Sequence, residues 1–218
     1  MSTDLDHARH LMVEQQIRPW DVVDPAVLDA FERVRREDFV APRQRRLAFT
    51  DVALPLEHGE SMLKPVLEGR LLQSLALEPE YEVLEVGTGS GFLTACLAYL
   101  ARAVHSIELH ADFVERARGR LELAGYACAR IEQADAMQFK PGRQFDRVLI
   151  GAAVTEVPAH FRDWVRVGGR MIVVVGESPA MQVMALTRLE SGEWREESLF
   201  ETDVPYLHGA EPKPRFVL

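Results

Sequence analysis

The stretch that most constrains the fold is VLEVGTGSGFLTACLAYL, residues 83–100, in which a short apolar run meets a glycine-rich loop. The run before the loop is typical of a buried strand, and the apolar segment after Gly91 is typical of a helix. A helix that begins at such a loop points free backbone N–H groups and the positive end of its dipole at the loop. The sequence therefore predicts a ligand site at a strand–loop–helix junction.

Strand-like and helix-like segments alternate from about Tyr81 onwards, which is typical of an α/β fold with a mostly parallel central sheet. We expect helices on both faces of this sheet, and two of the predicted helices follow Gly91 and lie at 111–123. The last two predicted strands form a hairpin, which gives the sheet an antiparallel C-terminal edge. The predicted strands lie at 83–86, 103–108, 129–133, 147–150, 170–175, 183–189 and 194–199.

The first 80 residues have a different pattern, with helices predicted at 4–17, 25–34 and 65–77. A chain of 218 residues is the size of one domain. We therefore predict a single domain over residues 1–218. Its parts are an N-terminal helical extension at 1–80, a cofactor-binding core at 81–200 and an extended tail at 201–218.

Composition and charge exclude several classes of function. The net charge of −9 argues against nucleic acid or an anionic membrane surface as a partner. No apolar run approaches the ~20 residues that span a bilayer, and the polar start predicts no secretory signal. Cys96 and Cys128 lie inside predicted elements, so we expect no disulfide and a cytoplasmic location. No cluster of ligating residues predicts a metal site.

The spacing of the glycines narrows the kind of ligand. Gly87, Gly89 and Gly91 form G-x-G-x-G, whereas a dinucleotide loop has G-x-G-x-x-G/A. The Lys and Ser or Thr of a Walker loop are missing. A nicotinamide or flavin site, or a tight turn with solvated acids and no ligand, remain as alternatives.

Three acidic residues favour an adenosine ligand that carries positive charge. Glu108 ends the second core strand, where a carboxylate can accept hydrogen bonds from both ribose hydroxyls. Asp135 follows the third strand, within reach of an adenine amino group. Glu85 comes just before the glycines, where it would repel a pyrophosphate and attract an α-ammonium group. These three negative charges favour S-adenosylmethionine as the ligand.

The pattern E-x-G-x-G-x-G, the acid that ends the next strand and the later Asp-Ala together resemble the Rossmann-like class of S-adenosylmethionine-dependent methyltransferases. The resemblance covers about residues 81–175 and implies the Rossmann-like methyltransferase fold. It also implies that the cofactor is held by Glu85, Gly87, Thr88, Gly89, Gly91, Glu108, Leu109, Asp135 and Ala136.

Four segments outside the glycine loop carry a more specific resemblance: MVEQQI, VRREDFVAP, AFTDVALPLEHGESMLKP and FDRVLIGAAVTEVP. Together they are similar to the protein-L-isoaspartate O-methyltransferase family, over about residues 11–176, and suggest a divergent bacterial branch. The resemblance implies carboxyl methylation of isoaspartyl residues in damaged peptides or proteins, as the first step of their repair. A carboxylate acceptor is already ionised, so we expect no catalytic His–Asp pair.

The chain departs from this family at the acceptor loop of the extension, Ser61-Met62-Leu63-Lys64-Pro65. The family has Thr/Ser-x-Ser-x-Pro, so Ser61 keeps the first hydroxyl while Leu63 replaces the second. Ser61 is the one candidate catalytic residue, as a hydrogen-bond donor, although it could instead cap the helix that follows. Two alternatives therefore stay open: a small-molecule acceptor, or a cofactor-binding module without catalysis.

Overall fold

The computed structural model describes residues 2–213, so the last five residues of the predicted tail lie outside the described part. A seven-stranded sheet in the order β5-β4-β3-β6-β7-β8-β9 forms its centre. The strands are β3 Glu82–Val86, β4 Ala103–Glu108, β5 Ala129–Gln133, β6 Phe145–Val154, β7 Val165–Val175, β8 Met181–Arg188 and β9 Trp194–Thr202.

Strands β3 to β7 pair in parallel, and β8 and β9 add the antiparallel edge that the sequence predicts. The fold class is therefore confirmed. β6 and β7 are longer than predicted, because β6 begins two residues earlier and ends four residues later, and β7 begins five residues earlier. A register shift between Leu149 and Ala153 interrupts the regular pairing of β6 with β7 near the end of β6.

The two faces of the sheet are covered unequally. Helices α2 Pro25–Arg33, α3 Pro65–Leu75, α4 Phe92–Leu100 and α5 Ala111–Leu123 contribute to one large apolar cluster. The opposite face packs against the segment around Phe139 and a single short helix, α6 Ala159–Arg162. Within β3, Val83 belongs to the first cluster and Leu84 to the second, as the alternation of a strand requires.

The N-terminal helices share their core with the sheet. Helix α1 Ser2–Met12 continues into a π-helical turn at Val13–Ile17, which matches the long helix predicted there. Phe31 of α2 packs edge-on against Phe92 of α4, with ring centroids 5.6 Å apart. No helix within residues 2–213 is long and apolar enough to cross a membrane.

A small antiparallel pair that the sequence did not predict precedes α3. Strand β1 Leu54–Pro55 pairs with β2 Ser61–Met62, and the segment between them forms a tight loop. His58 in this loop adopts a left-handed conformation with φ of 60°. The pair fixes Ser61 at the edge of the sheet where the core strands end.

Candidate active site

A cavity of about 100 Å³ lies at the carboxyl ends of β3, β4 and β6. Parallel strands of an α/β sheet gather their ligands at this edge. The glycine loop forms one side of the cavity, and the β1–β2 pair and the tail at Tyr206–His208 form another. Its wall contains these sequence-predicted site residues: Ser61, Gly87, Gly89, Glu108, Leu109, Asp135 and Ala136.

The glycines of the loop serve different purposes. Gly87 lines the cavity with φ of 94°, and a Cβ added there would meet nothing within 4 Å, so the space is open to a ligand. Gly91 caps α4 with φ of 88°, and an added Cβ would lie 3.1 Å from the Cβ of Ala117. Gly91 therefore allows α4 and α5 to pack closely, and it does not line the cavity.

Glu108 is positioned by two backbone groups. One carboxylate oxygen accepts from the N–H of Gly89 at 2.9 Å, and the other accepts from the N–H of His110 at 3.0 Å. Each oxygen has a second lone pair that remains available to a hydroxyl donor. The carboxylate thus joins the glycine loop to the end of β4, beside Leu109 on the cavity wall.

Asp135 and Ala136 follow β5 and line the cavity beyond Glu108. Asp135 accepts from the N–H of Met137 at 2.9 Å and from the side-chain amide of Gln138 at 2.8 Å. These bonds hold the turn at the cavity wall. The adenine contact expected of Asp135 stays a prediction.

Glu85 lies beneath the loop, and the ligand contact expected of it stays a prediction. Its side chain is fully buried and accepts hydrogen bonds from Thr94 at 2.5 Å and Ser106 at 2.6 Å. Burial raises the pKa of this carboxyl to about 7, and the two hydroxyls only partly oppose that rise. Thr88 is buried as well, with its hydroxyl 2.5 Å from that of Ser106. Both side chains therefore support the loop from below.

Ser61 lines the opposite wall, and its hydroxyl has no hydrogen-bond partner within residues 2–213. Leu63 is half-buried against the core, and its carbonyl accepts from the guanidinium of Arg36 at 2.7 Å. Arg36 also pairs with the buried carboxylate of Glu68 in α3. Lys64 is exposed, so it does not replace the missing hydroxyl at the cavity wall.

Four polar residues of the wall escaped the sequence analysis: Glu60, His110, Tyr206 and His208. Glu60 adds a third carboxylate, 3.8 Å from the Nε2 of His110. The tail returns beside β6, where the N–H of Leu207 donates to Ala153 at 2.7 Å. His110 could have been found from its place two residues after Glu108. The tail residues gave no such local signal.

The structure contains a His–Asp pair close to the cavity, but not on its wall. His58 Nε2 lies 2.9 Å from an oxygen of Asp112, and the His58 ring stacks on His110 with centroids 4.1 Å apart. Both members of the pair are substantially exposed, and neither lines the cavity. The pair therefore fixes the β1–β2 loop against α5. Across residues 2–213, no cluster of His, Cys, Asp and Glu could hold a metal ion.

Comparison with known proteins gives consistent matches over most of the chain. A family model described as Protein-L-isoaspartate(D-aspartate) O-methyltransferase matches residues 7–206. A protein-L-isoaspartate O-methyltransferase of Petrotoga mobilis is 34% identical over 196 residues, covering 89% of this chain and 92% of that protein. Protein-L-isoaspartate O-methyltransferase 2 of Marinobacter nauticus is 33% identical and covers 97% of each chain.

A solved structure shows the same fold. It is that of a Plasmodium falciparum protein described as a protein-L-isoaspartate O-methyltransferase, in complex with S-adenosyl-L-homocysteine. The TM-score is 0.80 at 20% sequence identity, and the match covers 91% of this chain and 97% of the other.

Proposed function

The chain belongs to the protein-L-isoaspartate(D-aspartate) O-methyltransferase family, and we propose that it methylates the side-chain carboxylate of isoaspartyl residues in peptides or proteins with S-adenosylmethionine. One observation carries the proposal. A single cavity at the end of the parallel sheet has the ribose-type acceptor Glu108 on one wall and the unpartnered hydroxyl of Ser61 on another.

Two features of the cavity favour this cofactor. Its wall contains the carboxylates of Glu60, Glu108 and Asp135, which favour a cation and disfavour the diphosphate of a dinucleotide. The open space over Gly87 lets a ligand lie against the backbone. We assign the ribose to Glu108 and the adenine to the wall formed by Leu109, Asp135 and Ala136. When bound, S-adenosylmethionine supplies an electrophilic methyl group on a positively charged sulfur.

The acceptor needs positioning more than proton transfer. A carboxylate has an ordinary pKa of about 4, so no residue of the chain has to remove a proton from it near neutral pH. Ser61 donates a hydrogen bond to one oxygen of the acceptor and leaves the other free to attack. Holding the reacting groups in line in this way can supply ~7–11 kcal/mol. Apolar wall residues such as Leu56 and Phe113 keep the site dry, which favours the neutralisation of opposite charges.

A small-molecule acceptor is the second candidate, and the acceptor wall favours it in one respect. Leu63 takes the position of the second family hydroxyl, and Glu60 adds a negative charge beside Ser61. Both features weaken the hold on an anionic acceptor. The proposal also includes a cytoplasmic location and a role in protein repair. The free thiols of Cys96 and Cys128 are compatible with a reducing compartment.

The decisive experiment follows radiolabelled methyl groups from S-adenosylmethionine into matched peptides. We expect base-labile methyl esters on a peptide with L-isoaspartate and none on its L-aspartyl twin. Binding of S-adenosylhomocysteine is measured by calorimetry in parallel. Intact binding without esters on either peptide would contradict the isoaspartyl assignment. A survey of small carboxylic acids and amines would then separate another acceptor from a chain without catalysis.

A further inference from the structure

A second cavity, of about 120 Å³, adjoins the active site. It lies between α5 and the segment that leads from Ala41 to the β1–β2 loop. Leu56, Gly89 and Phe113 line both cavities, so the two are separated by only this shared wall. A group bound in the second cavity is therefore a close neighbour of a ligand in the first.

The charge of the second cavity is opposite to that of the first. Arg43, Arg116 and Arg120 line it, with Glu57 as the one acidic residue on its wall. The chain as a whole carries a net charge of −9, so this concentration of arginine is local. Planar guanidinium groups bind carboxylates and phosphates in a forked geometry that lysine cannot provide.

Two of these arginines form no ion pair with an acidic residue between 2 and 213. Arg120 is half-buried and donates to the carbonyl of Ser90 at 2.8 Å, and no carboxylate of the described chain forms an ion pair with it. Burial, and next the nearby charge of Arg116, lower the pKa of its guanidinium. Arg43 is exposed and forms no ion pair with any residue between 2 and 213. Both groups are therefore free to bind an anion.

Arg116 is already neutralised. It pairs with Asp112 at 2.5 Å and with Glu57 at 2.9 Å across the cavity mouth. Removing the charge of Glu57 would release an N–H group of Arg116 for another anion. Arg116 therefore also affects how tightly the cavity binds an anion.

We propose that this basic cavity is a subsite for an acceptor polypeptide, and that it binds the carboxylate of an acidic residue near the isoaspartyl residue. The inference rests on the proposed function. An extended peptide advances about 3.3–3.6 Å per residue, so a residue one to three positions from the acceptor can reach across the shared wall. An aspartyl or glutamyl side chain there would pair with Arg43 and Arg120. The enzyme would then prefer damaged sites in acidic sequence.

The test compares two fluorescently labelled isoaspartyl peptides that differ only in having Glu or Gln at the three positions on either side. Their binding is measured by fluorescence anisotropy in the presence of S-adenosylhomocysteine, so the readout does not need turnover. We expect the Glu peptide to bind about fivefold more tightly, which corresponds to about 1 kcal/mol of charge pairing. The preference should shrink between about 0.05 M and about 0.5 M salt.

Three variants assign the preference to this cavity. Arg43→Gln should remove most of it, whereas Arg46→Gln should leave it unchanged, because Arg46 is exposed and does not line the cavity. Glu57→Gln should enlarge it by releasing Arg116. The substitutions at positions 43 and 46 remove equal charge from exposed side chains, so their difference does not come from net charge or folding.

The outcomes separate this inference from the proposed function. Equal binding of the Glu and Gln peptides to the wild-type protein would overturn the subsite, even if both peptides were methylated. An equal loss of preference in Arg43→Gln and Arg46→Gln would overturn it as well. Selective binding without methyl ester formation would support the subsite and contradict the isoaspartyl methylation instead.

Discussion

The cofactor side of the active-site cavity and its acceptor side are held in place by different kinds of contact. On the cofactor side, Glu108 accepts hydrogen bonds from the backbone N–H groups of Gly89 and His110, and all three residues line the cavity. On the acceptor side, the segment that contains Ser61 is held by a residue outside it, because the guanidinium of Arg36 donates a hydrogen bond to the carbonyl of Leu63. The first arrangement lies within the core sheet and its loops, whereas the second depends on the packing of the N-terminal segment.

This difference explains why one side resembles many proteins and the other is specific. A glycine loop followed by a helix can form wherever a parallel sheet supports it. The acceptor side needs the buried pair of Arg36 and Glu68, the β1–β2 pair and the returning tail at once. We therefore expect substitutions on the two sides to separate into effects on cofactor affinity and effects on folding and acceptor use.

The largest effect is expected from Arg36→Ala. This change leaves Glu68 buried without its partner and removes the donor to Leu63, so it should lower the free energy of unfolding by about 3–5 kcal/mol. Urea unfolding followed by circular dichroism measures it. The double replacement Arg36→Met with Glu68→Leu should recover much of the loss, because the buried charge is then absent. A loss below about 1 kcal/mol in the single variant would show that the pair does not support this side.

On the cofactor side, we expect Glu85 to lower the free energy of unfolding by about 3 kcal/mol as the pH rises from 4.5 to about 7. The pKa of Glu85 rises from 4.5 to about 7 in the folded protein, so the folded state binds the proton more tightly than the unfolded state. The resulting stability is fully present below about pH 4.5 and is lost as the pH rises through about 7. Glu85→Gln removes this loss. The free energy of unfolding of the variant, relative to that of the wild type, should therefore increase with pH across that range.

Thermal unfolding between pH 4.5 and 8 measures the comparison, with exposed Glu80→Gln as the matched control. Glu68 also has a pKa raised by burial, and this contribution is common to both proteins. A constant difference between the Glu85→Gln variant and the wild type across the range would show that Glu85 is ionised throughout.

The same contrast describes what the sequence could predict. Gly87 and Glu108 were found from local patterns, and both line the cavity. Glu85 belongs to the same motif, yet its side chain points beneath the loop, and the spacing of a motif does not tell which side of a strand faces a ligand. Tyr206 reaches the site by bridging to Ala153 of β6, a contact between distant parts of the chain with no local signature.

The arginines around residue 43 show the same limit. The run RQRR at residues 43–46 has the composition of a solvated face, and Arg46 is exposed. Arg43 lies at the same surface but lines a cavity with Arg120 of α5. Only the packing of the N-terminal segment against α5 brings these two charges together. Their proximity could not be read from the composition of the run.

A smaller and more selective effect is expected from Glu108→Ala. The carboxylate is assigned to the ribose, and hydrogen bonds to a charged group contribute about 1.5–3 kcal/mol, so the Kd for S-adenosylhomocysteine should rise about 10- to 100-fold. Calorimetry measures this change. Glu80→Ala is the matched control, because Glu80 is exposed and does not line the cavity, and it should leave the Kd nearly unaltered. Unchanged binding in Glu108→Ala would remove the ribose assignment and, with it, the distinction between the two sides.

The smallest effect is expected from Ser61→Ala, and it is the one that most sharply tests the acceptor side. Loss of a single hydroxyl donor costs about 1 kcal/mol, so kcat/KM for an isoaspartyl peptide should fall about fivefold, while the Kd for S-adenosylhomocysteine stays the same. Ser61→Thr retains the hydroxyl and should keep most of the activity. If Ser61→Ala instead raised the Kd for S-adenosylhomocysteine and left kcat/KM unchanged, the hydroxyl would belong to the cofactor side. Because Leu63 offers no second donor, the acceptor would then be held by backbone groups and by charge alone.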